Sequence, residues 1–183
     1  MAIQTSRQTT KTRSIRCLIV PGIGDLSRLP TLEGSLRAIN SSLEGSTVEM
    51  KCKVFVWNDA IVKDVENSLQ TMCTVQHNEG KWVDHVAALS DDDLSQTTSR
   101  VAVLMDDVDI QGIDVVSFLN TMSESGYDLA SGSIDNWHYG CMHSREVCRS
   151  HRTDYVDVLF AVFTAEAWLC WTNQFDLQIN SYG

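Results

Sequence analysis

Apolar and polar positions along this chain alternate between two rhythms. Short β-rich apolar runs are each followed by a stretch whose apolar residues recur every three or four positions. "RCLIVPG" opens the series near Arg16 as a buried strand closed by Pro-Gly. In "PTLEGSLRAINSSLEG", Leu32, Leu36, Ile39 and Leu43 share one helical face, and Gly45 stands just past the end. "CKVFVWND" predicts a second strand running into polar residues, and Ile61, Val62, Val65 and Leu69 a second helix. "GKWVDHVAAL" predicts a third, short helix, followed by the acidic, Ser/Thr-rich connection "SDDDLSQTTS". "RVAVLMDD" is the clearest strand, and Val115, Val116, Leu119 and Met122 mark a helix that stops before Gly126. "YDLASGSI" predicts another strand, and "DNWHYGCMHSREVCRSHRTD", with no sustained period, a long loop. "YVDVLFAVF" returns to strand, and "TAEAWLCWTNQFDLQI" is an amphipathic helix carrying Trp168, Trp171 and Phe175.

Strands alternating with helices predict an α/β domain with a mainly parallel sheet flanked by helices. No internal repeat or linker divides the chain, so residues 15–183 form one domain behind a basic tail, residues 1–14. In such sheets ligands bind beyond the carboxyl ends of the strands. "VPGIGD", "WND", "MDDVD" and "SGS" all fall at those ends and would share one edge.

Length and charge narrow the function. At 183 residues the chain suits one domain with a real core. The net charge of -10 and a pI near 4.8 oppose a phosphate backbone, so no nucleic-acid partner is expected. A small phosphorylated ligand would need a metal ion or buried basic groups. No apolar run is long enough to span a bilayer, and no apolar signal-peptide core stands near the N-terminus. The tail "MAIQTSRQTTKTRS" reads as disordered, although a targeting remnant has a similar composition. The compartment stays open: cytoplasmic as the chain stands, Golgi or secretory if it is a fragment.

The chemistry concentrates in "VAVLMDDVDI", where an apolar run meets Asp106, Asp107 and Asp109. Such crowded like charges call for compensation. Mn²⁺ or Mg²⁺ held by one or two carboxylates plus substrate phosphates would supply it, with Asp107-Val108-Asp109 as the Asp-x-Asp. An EF-hand calcium loop fits Asp107, Asp109 and Gly112, but Gln111 and Phe118 break its pattern and a strand precedes it. An aspartyl nucleophile of haloacid dehalogenase type, in a metal-dependent phosphohydrolase, is the runner-up; that motif follows a first strand and usually continues Gly-Thr. The bland alternative is a solvated loop in which Asp109 or Asp114 caps the next helix.

The order of elements resembles a GT-A-type glycosyltransferase, whose Asp-x-Asp at the end of a middle strand holds a metal against a nucleotide-sugar diphosphate. More narrowly, "RCLIVPG", "VAVLMDDVDI" with "GYDLASGSID", and "YVDVLFAVFTAEAWLCWTNQFDLQINSYG" are similar to a GT-A-like family labelled lysine-ketoglutarate-reductase trans-splicing related. The resemblance implies a Rossmann-like domain binding a nucleotide-diphosphate sugar, with an unknown acceptor. It implies Asp107 and Asp109 as metal ligands with Asp106 in support, Pro21 and Gly22 beside the nucleotide, Asp59 near the base or ribose, and Lys81 at the diphosphate. Read without the family, Lys81 is a solvated lysine opening a helix. In that family the last helix runs into a Trp-Gly-x-Asp segment, and this sequence stops where such a segment would begin. The expectation is a fragment, or a shortened relative that binds without turnover, and no residue is named as catalytic base.

Cys141, His143, Cys148 and His151 are zinc-type ligands, but C-x-H-x4-C-x2-H lacks the usual close Cys pairing. A loop packing its Cys and exposing its His is the simpler reading, with His138 and His143 available to an acceptor. The aromatic set on the last helix reads as core packing before it reads as a binding stripe. Asp154 and Asp157 would face the site or end the loop. Cys17, Cys52 and Cys170 read as buried thiols; the even total of six cysteines permits disulfides without demanding them.

Overall fold

The structure, a computed structural model, describes residues 15–80, 84, 89, 94, 98–132 and 159–173. Six strands form one sheet: β1 (Ile15–Ile23), β2 (Val48–Val56), β3 (Thr74–His77), β4 (Arg100–Met105), β5 (Leu129–Ser131) and β6 (Phe160–Thr164). Their spatial order is β3-β2-β1-β4-β6-β5. β1 pairs in parallel with β2 and β4, and β2 with β3, whereas β6 runs antiparallel to both β4 and β5. The helices are α1 (Leu29–Leu43), α2 (Val62–Leu69), α3 (Val115–Ser125) and α4 (Ala165–Thr172). The expected α/β, mainly parallel, helix-flanked architecture is the observed one.

Both faces of the central strands are buried, which is why they read as unbroken apolar runs. Cys17 and Ile19 of β1, Ala102 and Leu104 of β4, and Val162 of β6 face α1, α2 and α3. Leu18, Val20, Val101, Val103, Ala161 and Phe163 face the other way, against Trp168 of α4. α1 buries Leu32, Leu36, Ile39 and Leu43, the stripe its spacing predicted. Gly45 follows at φ 73°, a left-handed turn that glycine adopts without strain. α3 starts on Asp114, whose side chain accepts from Ser117 N at 2.9 Å, and ends at Gly126 with φ 66°. α4 starts on Thr164, whose hydroxyl accepts from Ala167 N at 3.1 Å. Trp168 and Trp171 both pack on Phe163, at 5.3 and 4.8 Å between ring centroids, so those aromatics are core.

Several expectations change. β1 does not close at Pro21-Gly22 but runs on to Ile23. Pro21 has no N–H to give, and the pairing of β1 with β2 accordingly passes from Ile19–Cys52 to Gly22–Phe55 without it. β3 was not foreseen: "TVQH" is short, mostly polar and lies on an edge. Cys52 is not a thiol, because it is disulfide-bonded to Cys73 at the turn before β3. Cys170 is exposed on α4, whereas Cys17 is a buried thiol that desolvation pushes up to about 12. No helix among the described residues is long and apolar enough to cross a membrane. The predicted helix "GKWVDHVAAL" lies largely outside the described residues. So do Lys81, Asp154, Asp157, Phe175, and the Cys141, His143, Cys148 and His151 set with His138.

Candidate functional site at the strand ends

The chain goes from β1 outward through β2 to β3, then returns to lay β4 on the other side of β1. The direction of winding therefore reverses between β1 and β4, and their carboxyl ends diverge into separate loops. Open α/β sheets hold their ligands in such a crevice.

Three loops meet there. The first leaves β1 through Gly24 and Asp25 into a 3-10 turn, Leu26–Arg28, that feeds α1. Asp25 accepts from Ser27 N at 2.9 Å, which holds its carboxyl below the usual carboxylate range. The second follows β2: Trp57, then Asn58, whose side chain caps the turn Asp59–Ile61 and donates to Gly24 O at 3.1 Å. The third follows β4 and carries Asp106, Asp107 and Asp109.

The Trp57 indole lies across the first loop. A Cβ on Gly24 would overlap it, and one on Gly22 would come within 2.7 Å of its Cζ3. Both positions need glycine because an aromatic ring rests on their backbone. Pro21 and Gly22 are buried in the last part of β1.

The acidic loop is pinned from below by α1. Ser35, fully buried in mid-helix, donates to Val108 O at 3.1 Å and accepts from Ile110 N at 3.2 Å. A Cβ on Gly34 would meet Gln111 Nε2 at 2.9 Å, the far end of an exposed side chain that can swing aside. The carboxylates consequently point in different directions. Asp106 is 2% exposed, while Asp107 is 51% exposed. Asp109 is exposed and turns back on its own loop, accepting from Gln111 N at 2.9 Å.

Compensation comes across the crevice. Arg28 Nη1 donates to Asp106 Oδ1 at 3.0 Å and to Asp107 Oδ2 at 3.3 Å. Burial pushes the Asp106 carboxyl up; Arg28 and the Gly24 N–H offset this only in part, and Asp107 adds to it. Arg28 in turn is held above its usual range, chiefly by Asp106. Among the described residues no three His, Cys, Asp or Glu side chains gather as a ready metal-ligand set. Asp107 and Asp109 each keep one carboxylate oxygen outside these hydrogen bonds. That is the donor number Mg²⁺ or Mn²⁺ uses when phosphates complete its shell.

Asp59 is set apart, 75% exposed and paired with His77 Nε2 at the end of β3. Ser131 and Gly132 of "SGS" do lie at the end of β5 on this same edge, but β6 stands between β5 and β4. Sequence reasoning set Asp106, Asp107 and Asp109 together after a middle strand, where the loop after β4 carries them, and did not name Arg28, Ser35, Trp57 or His77. Arg28 had one usable signal, being the one arginine or lysine in the described loops after β1, β2 and β4, which are otherwise rich in Asp.

The fold is a GT-A-like (Rossmann-like), mainly parallel α/β sheet flanked by helices. A crystal structure of 4-diphosphocytidyl-2C-methyl-D-erythritol synthase is similar at a TM-score of 0.52 and 14% identity, covering 89% of this chain and 81% of that one. The synthase of that name from Anaerococcus prevotii DSM 20548 gives a TM-score of 0.47 at 11% identity, with 90% and 78% covered. The apo-form glycosyltransferase GlyE of Streptococcus pneumoniae TIGR4 gives 0.45 at 11% identity, with 86% of this chain and 36% of that one covered. Similarity at these identities concerns the fold alone. No protein-family model matches the sequence, and no curated protein does either.

Proposed function

We propose that this chain binds a nucleotide-diphosphate sugar in the crevice between β1 and β4 and, with Mn²⁺ or Mg²⁺, transfers its glycosyl group to an acceptor. One observation carries the reading: Arg28, from the loop after β1, meets Asp106 and Asp107, from the loop after β4, across the point where the winding reverses. Charge supports the metal. The described loops after β1, β2 and β4 carry Asp25, Asp59, Asp106, Asp107 and Asp109 against a single arginine, an excess that would repel a free diphosphate. In this reading Asp107 and Asp109 hold the ion, Asp106 supports Arg28, and Asp59 lies toward the ribose or base. Bound there, the ion would act as a Lewis acid on the departing nucleoside diphosphate. Lys81 is a further candidate for the diphosphate. The narrower likeness, to the family labelled lysine-ketoglutarate-reductase trans-splicing related, belongs to this proposal and rests on the stretches quoted above.

Calorimetric titration of UDP and GDP, with and without Mn²⁺, tests it on the wild type and on Asp107→Ala/Asp109→Ala. Binding is expected only with the metal, weakened by about a hundredfold or more in the double variant, the equivalent of roughly 2.7 kcal/mol. Equal affinity with and without Mn²⁺, or in both proteins, would sink the metal-bridged reading. Binding without sugar hydrolysis or transfer would leave a nucleotide-sugar-binding domain without turnover.

A further inference from the structure

We propose that Arg28 is the residue that takes the phosphate oxygens of the ligand at this edge, with Asp106 as its positioning residue. The inference rests on the nucleotide reading of the crevice, but pyrophosphate can test it separately.

The guanidinium is only half committed. Both acidic contacts fall on one nitrogen, Nη1, at 3.0 and 3.3 Å, and among the described residues Nε and Nη2 have no acceptor. Nε–H and Nη2–H form the parallel pair of donors that a carboxylate or phosphate engages with two oxygens. An arginine serving only to neutralise Asp106 and Asp107 has no use for that edge.

The uncommitted edge is also held in place before a ligand arrives. Asp106 is 2% exposed at the end of β4, and it fixes the Nη1 corner from beneath. The Arg28 side chain is 47% exposed, so its other edge is open to a ligand from solvent. Arg28 is also the residue from which α1 starts, and no side chain caps that helix. The positive end of a 15-residue helix thus adds to the attraction for an anion. In the described loops after β1, β2, β3 and β4, Arg28 is the one permanently charged cation.

A structural ion pair would tolerate lysine, since an ammonium can reach the same carboxylates. A two-oxygen phosphate contact would not, because lysine presents a point charge. The variants are therefore Arg28→Lys and the paired neutral change Arg28→Gln/Asp106→Asn, which leaves no buried charge without its partner. Inorganic pyrophosphate, UDP and uridine are titrated into each in Mn²⁺, with a thermal melt as the folding control.

Pyrophosphate and UDP should both weaken by about tenfold to a hundredfold in the two variants, the worth of one or two charge-assisted hydrogen bonds. Uridine should bind all proteins equally, and the Arg28→Lys melt should match the wild type. Wild-type affinity for pyrophosphate in Arg28→Lys would overturn the proposal and leave the nucleotide reading standing wherever UDP still binds. Pyrophosphate binding that depends on Arg28, with UDP no tighter than pyrophosphate, would instead uphold Arg28 and remove the nucleoside. No binding of either ligand to the wild type overturns both.

Discussion

The two ends of the central strands carry charge in different ways. Where β1 and β4 begin, Arg16 and Arg100 are tied into the fold. Arg16 donates its backbone N–H to Ser99 Oγ at 3.0 Å and accepts from that hydroxyl on its carbonyl at 3.1 Å, while its side chain pairs with Glu49 at 2.8 Å. Arg100 donates to Ser99 O at 2.8 Å and to Ser123 Oγ at 3.1 Å, and burial lowers its affinity for the proton. Thr164 and Asp128 close the same end through a backbone bond of 2.8 Å. Where those strands finish, Asp106 and Asp107 share Arg28, whose second edge has no acceptor among the described residues, and Asp25 and Asp109 stand exposed beside them. One end holds its charges within the fold, although the buried Arg100 Nε has no hydrogen-bond partner among the described residues. The other keeps them facing solvent at the place where open α/β sheets bind ligands, and that difference separates a structural cluster from a candidate site.

Substitutions at each end can break this contrast. Ser35→Ala should have the largest effect, because it strips a partner from the buried Ile110 N–H and from Val108 O. Leaving such groups unsatisfied costs about 2–3 kcal/mol, read as a lower urea midpoint at unchanged slope. Since that hydroxyl pins the acidic loop, nucleotide affinity should fall with it. Arg100→Ala should cost less, roughly 1–2 kcal/mol for two lost hydrogen bonds, and leave nucleotide affinity at the wild-type value. If Arg100→Ala weakened the nucleotide as much as Ser35→Ala, the two ends would not be functionally distinct.

Much of the scaffold was legible because each element announced itself locally. The α1 stripe, the β4 run and the glycines after α1 and α3 follow from side-chain period and backbone freedom, which a short window contains. β3 escaped because an edge strand of Thr74, Val75, Gln76 and His77 needs no apolar alternation. The antiparallel direction of β6 escaped because a strand followed by a helix looks the same in either orientation. At the site, three adjacent carboxylates were conspicuous, whereas their partners were not. Arg28 lies 78 residues before Asp106, and Ser35 sits inside what reads as an ordinary helix. Such partners are set by the order of strands in the sheet, a property no local window holds. The Cys52–Cys73 bond is of the same kind, joining mid-β2 to a turn after α2.

The gentlest test of the contrast uses pH. Burial raises the Asp106 carboxyl above its unfolded value, so the folded chain holds this proton more tightly than the unfolded one. Between about 4, the unfolded aspartate value, and the raised folded value, the native state binds more protons, and stability falls as pH rises. The contribution is therefore complete below the unfolded value and lost as pH climbs through the folded one. Asp106→Asn keeps the shape and cannot ionise, so its stability should be flatter across that window, by less than either substitution above. Urea melts of both proteins at a series of pH values would show the difference. A decline equally steep in Asp106→Asn would show that Asp106 is not its source. Arg28 would then keep the buried carboxylate ionised in the folded chain as readily as water does in the unfolded one.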